Sequence, residues 1–152
     1  MSALKKVGGA YLVAVAVAVA VLFIVSPLLA ARAFDVQQLW NGLNVLMAVA
    51  LLLTLAYNYA RKRFEDKREP GERITRQYLE VNLALYTAAA VAVLFLHNWF
   101  SLLAFGSGGL GNPVLAAPAN HQAWVIWAAV DVLLPLVVGI TGCALWKDKT
   151  IN

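Results

Sequence analysis

Asp131 makes the largest demand on its surroundings, because it stands inside the apolar run 122–146. A carboxyl within hydrocarbon is costly and marks a functional or structural contact by default. Two amides stand at similar depth, Asn44 in the run 39–60 and Asn98 in the run 78–104. At ~1.5 Å of rise per helical residue, Asp131 lies ~13 Å in from the outer end of its run. All three fall in the outer half, within reach of one layer. The expectation is an intramembrane polar cluster, Asn44, Asn98 and Asp131, that glues helices together by shared hydrogen bonds. Asp131→Asn would then be tolerated, since an amide still donates and accepts, and Asp131→Leu would weaken the bundle. A proton or ion step through the same cluster needs further ionisable groups leading inward. Only neutral Thr87 and distant Glu80 follow.

His97 and His121 are the two histidines, both near outer span ends. Imidazoles on neighbouring helices could hold a b-type haem or a metal. Here they are weak candidates. His97 is rotated off the stripe that carries Asn98, His121 is at a loop–helix junction, and no carboxylate or thiol lies nearby in sequence. Cys143 is the single cysteine, which rules out an internal disulfide. The chain contains no G-x-x-x-x-G-K-[ST], H-E-x-x-H, G-x-S-x-G or C-x-x-C. Neither an enzyme nor a resident cofactor or metal is expected.

The elements that must position these residues are four long apolar runs, at 8–31, 39–60, 78–104 and 122–146. Some ~20 helical residues cross a ~30 Å hydrocarbon layer, and each run suffices. Hydrophobic residues form 62% of the 152 and charged residues 13%, against roughly 45–50% and 25% in soluble domains. The fold expected is all-α, a four-span transmembrane bundle forming one domain over residues 1–152. The net charge of +4 is not a nucleic-acid footprint, because the basic residues sit beside spans rather than on a separate face.

Those basic residues orient the chain. Lys5 and Lys6 precede the first run, seven lie in 61–77 and Lys147 and Lys149 follow the last, so Arg32 is the single one elsewhere. The positive-inside bias places both termini and loop 61–77 in the cytoplasm, as for a multi-pass protein of a cell inner membrane. Trp40, Trp99, Trp124 and Trp127 fall toward outer span ends; Tyr11, Tyr57, Tyr59, Tyr78 and Trp146 fall toward inner ones. Aromatic rings of this kind mark the two interfaces. The first run carries a basic start and Ala31-Arg32-Ala33 like a cleavage site, but its apolar core exceeds the ~7–15 residues of a signal peptide. It reads as a retained span.

Two connections have character. Residues 61–77 mix charges around Pro70-Gly71, so the second helix is expected to run to about Glu69 and the third to start near Glu72. The outer loop 105–121 is uncharged and apolar at Leu110, Val114 and Leu115. With Trp124 and Trp127, these residues are expected to contact a partner or lipid. The topology resembles that of the small four-span subunits of tripartite transporters, and of respiratory and oxygenase complexes; topology alone carries no function. The leading expectation is a non-catalytic accessory subunit of a larger inner-membrane complex, bioenergetic or oxidative, with other membrane subunits and lipids as partners. A small transporter working around Asp131, and a membrane haem protein using His97 and His121, are the alternatives.

Overall fold

Lipid offers no partner to a bare peptide group, so a chain this apolar must satisfy its own backbone, and helices do so within each segment. The computed structural model describes residues 2–32, 35–66, 75–105 and 121–147, the side chains of Ser2, Phe105 and 121–124 excepted. Four helices account for nearly all of them: α1 (Ser2–Ala30), α2 (Val36–Glu65), α3 (Arg76–Phe105) and α4 (His121–Lys147). All four are long and apolar enough to cross a membrane. The protein is thus a multi-pass membrane protein. The alternating Ala/Val stretch of α1 is helical despite its strand-like period, because lipid penalises an open strand edge.

The helix ends have local causes. Asp35 caps α2, its Oδ1 accepting from the Gln38 N–H at 3.1 Å. Thr75 caps α3, its Oγ1 accepting from the Tyr78 N–H at 3.2 Å. Short polar side chains at these positions satisfy amides that the helix leaves open. The expected bounds of the middle hairpin shift accordingly. α2 closes at Glu65 rather than Glu69, and α3 opens at Arg76, directly after its cap Thr75, rather than near Glu72. Residues 67–74, including Pro70 and Gly71, lie outside the described residues.

We call "outer" the half that carries the α1–α2 and α3–α4 connections. The most extensive helix contact is α1 on α4, followed by α2 on α3. α2 and α4 also touch across the diagonal, whereas α1 and α3 do not meet among the described residues. The cross-section is therefore a rhombus with α2 and α4 on its short diagonal. Its core is a continuous apolar cluster that includes Leu12, Val19, Met47, Val91, Phe95, Leu134 and Val138. The opposite faces point outward and stay apolar, with Ile24, Leu83, Leu103 and Ile140 about two-thirds or more exposed. Since lipid tails are as apolar as these side chains, close packing and polar contacts, not water exclusion, hold such helices together.

Both occur in the inner half. A Cβ on Gly142 would lie 2.9 Å from Leu12 Cβ and 3.0 Å from the Gly9 carbonyl oxygen. One on Gly9 would lie 2.9 Å from the Gly142 carbonyl oxygen. The two backbones meet because neither residue has a side chain. On the adjacent face of α4, buried Asn58 of α2 donates through Nδ2 to Thr141 Oγ1 at 2.9 Å and to the Thr54 carbonyl at 3.0 Å. Near the inner end, buried Glu65 accepts from Gln77 Nε2 at 2.6 Å, tying α2 to α3.

Candidate functional site

Asn44 and Asp131 lie level with one another on the α2–α4 diagonal because both helices run in the same direction and each places its polar residue about 12–15 Å from its outer end. Both are buried, at 2% and 8% exposure, and both line one cleft of about 620 Å³. Phe23, Trp40 and Trp127 supply aromatic walls, while Leu102 and Ala128 add apolar ones. Exposed Ile24, Pro27 and Gln37 form the rim, so the cleft is reached from outside the bundle. Its size falls within the range of small-molecule sites, and its make-up matches them: mostly apolar with a few convergent polar groups.

The polar groups of the cleft are unequally satisfied. Ser26 Oγ donates to the Leu22 carbonyl at 2.6 Å, and Gln37 Nε2 donates to Asn41 Oδ1 at 3.1 Å. Asn44 Oδ1 and Asp131 Oδ1, by contrast, are buried without a hydrogen-bond partner. Two prolines add to the imbalance. Pro27 lies within α1 and Pro135 within α4, and each removes the N–H that would bond the carbonyl four residues earlier. Those carbonyls belong to Phe23 and Asp131, both of which line the cleft. Several residues that carry unpaired acceptors thus line this cleft.

Asn98, the third member expected of the cluster, is also buried, at 1% exposure, but does not line the cleft. Its Nδ2 and Oδ1 both lack partners. The three residues therefore share the outer half without the shared hydrogen bonding that their depths suggested. Spacing along separate helices fixes height but not azimuth, and azimuth decides whether two side chains meet.

Trp127, expected at a partner or lipid contact, is half-buried and forms cleft wall. His97 is exposed on α3, its carbonyl accepting from Ser101 Oγ at 2.8 Å. The side chains of His121 and Trp124, with Leu110, Val114 and Leu115, lie outside the described residues. Among the described residues, no three His, Cys, Asp or Glu side chains come together. Cys143 is exposed near the inner end of α4. Sequence reasoning did not single out Phe23, Ser26 or Gln37 for this site, nor Gly9 and Thr141 for the inner contacts. The usable signals were the two prolines, each four residues after a cleft residue, and the Gly8-Gly9 and Gly139…Gly142 pairs.

Comparison with protein-family models, curated proteins and solved structures finds no match to this chain.

Proposed function

We propose that this chain is a non-catalytic, ligand-holding membrane protein that works as an accessory subunit of a larger inner-membrane assembly, with the outer cleft as its working surface. The observation that carries the ligand-holding role is that Asn44 and Asp131, each with a buried oxygen that lacks a partner, line one cleft with aromatic walls. A buried polar group left unpaired costs ~1–3 kcal/mol. Several in one cleft are a poor solution for stability and a good one for binding. The subunit role is supported by the uncharged, apolar connection 105–121 and by a chain with no catalytic motif.

Transport is the second reading, and Asp131 is its warrant. Below the cleft, Met47, Phe95, Leu134 and Val138 are fully buried, and further in Asn58 is hydrogen-bonded to Thr141. A solute reaching Asp131 would meet a closed apolar layer, so transport would need a second arrangement of the helices.

Native mass measurement after mild extraction tests both parts. A small adduct retained by the wild type and lost in Ala128→Trp, which fills the cleft, is the result expected, together with co-extracted membrane subunits. Bare monomer in both proteins would sink the proposal. Orientation has its own check: Arg32→Cys should react with an impermeant thiol reagent in intact cells, and Thr75→Cys should not. The reverse pattern would turn the cleft to the cytoplasmic side.

A further inference from the structure

We infer that the cleft takes a lipophilic protonated amine, its ammonium against Asp131 and Asn44 and its apolar body between Trp40 and Trp127. The inference rests on the ligand-holding reading and adds the chemical class.

Three observations select that class. Asp131 lines the cleft with its Oδ1 buried and unpartnered and makes no side-chain hydrogen bond, whereas the Ser26 hydroxyl and the Gln37 amide already donate within the protein. The prolines at 27 and 135 add two main-chain acceptors, at Phe23 and Asp131, whose helical donors are gone. A ligand with N–H groups can pair with these acceptors. Next, Asp131 is the one ionisable side chain among the described lining residues, so a charged ligand held there is cationic. A carboxylate and an ammonium enter low dielectric at far lower cost as a hydrogen-bonded pair than apart. Finally, Trp40, Trp127 and Phe23 surround the cleft, and indole faces attract cations more strongly than other aromatic side chains do.

The apolar walls set the rest of the molecule. Leu102, Ala128 and Ile24 offer no further charge, so the ammonium is the polar end of a mostly apolar body. Because Ile24 is 72% exposed at the rim, such a molecule can enter through the membrane-facing side.

The test uses the full-length protein in phosphatidylcholine nanodiscs, whose zwitterionic surface does not by itself concentrate cations. Binding is read from tryptophan fluorescence with three probes: 1-naphthylmethylamine, the neutral 1-naphthalenemethanol, and the acceptor-only decylubiquinone. The amine should bind saturably, at least tenfold more tightly than the alcohol. Asp131→Asn, which keeps size and shape, should reduce amine affinity at least tenfold and leave the alcohol unchanged. Equal binding of amine and alcohol, or amine binding indifferent to Asp131→Asn, would overturn the amine assignment. If the alcohol or the quinone then bound saturably and lost that binding in Ala128→Trp, the ligand-holding reading would stand without it. No saturable, Ala128→Trp-sensitive binding of any probe would remove both, leaving a cleft filled by water or lipid alone.

Discussion

The inner and outer halves of this bundle solve the same problem in opposite ways. In the inner half, Gly9 and Gly142 bring two backbones into contact, and Asn58 finds Thr141 across the helix diagonal. In the outer half, the α1–α2 and α4 segments stand apart around a cleft, and Asn44, Asn98 and Asp131 keep unpartnered atoms. Both halves bury polar side chains in an apolar setting. One joins helices through Asn58 and Thr141, with Thr54 Oγ1 the one unpartnered buried side-chain atom among its described residues, and the other leaves buried atoms of all three residues unpartnered. The difference teaches that a polar residue within a span is not structural by default: its hydrogen-bond partners decide, and only where they are absent is it available to a ligand.

The widest gap between the halves should appear on overpacking. Gly142→Leu places side-chain atoms where Leu12 Cβ and the Gly9 carbonyl already stand, so α1 and α4 must separate. Overpacking a close contact costs about 1–3 kcal/mol and occasionally more, and this site has backbone on one side. The expected outcome is a loss at the top of that range, read from unfolding in micelles. Gly42→Ala is the control, since nothing lies within 4 Å of a Cβ there. If the two variants unfolded alike, the inner clasp would not be what holds the bundle.

A smaller effect follows from the α2–α4 hydrogen bond. Asn58→Leu should cost about 1 kcal/mol, because polar contacts between membrane helices average ~0.6 with a maximum near 1.7. Thr141→Val removes only the interhelical acceptor, leaving the Asn58 bond to the Thr54 carbonyl, and should cost less. A double-mutant cycle on these positions measures the coupling directly. A coupling energy of zero would place the inner and outer amides in the same class.

The third effect has the opposite sign. Depth alone suggested that Asp131→Leu weakens the bundle; with Oδ1 unpartnered, the change instead relieves a desolvated acceptor. Asp131→Leu and Asn44→Leu should leave stability unchanged or raise it by about 1 kcal/mol, while abolishing amine binding. A clear destabilisation in either would reveal a partner contact that contributes to the fold, and would erase the contrast between the halves.

Much of this architecture is legible in the residues. Four apolar runs and the need to satisfy every peptide group within lipid fix the helix number and, to within a few residues at most ends, the helix bounds. The exceptions are instructive. The start of α1 and the ends around the middle hairpin lie in stretches where charge replaces hydropathy, and there a cap such as Thr75 rather than apolar content sets the boundary. Height within the membrane was legible as well. Asn44, Asn98 and Asp131 do lie buried in the outer half, because rise per residue is nearly constant in a helix.

Azimuth and neighbour were not. Which helix faces which is decided by how closely two surfaces approach, and that depends on paired absences, such as Gly9 opposite Gly142, which one helix cannot reveal about another. The tertiary structure therefore decided that Asn58 meets Thr141, that Asn98 does not line the cleft, and that Trp127 forms part of its wall. The sequence determined that an acidic side chain would be carried into hydrocarbon. Only the packing of α1, α2, α3 and α4 around it decided that it would line a cleft without a side-chain partner, because a cavity is a property of surfaces that fail to meet.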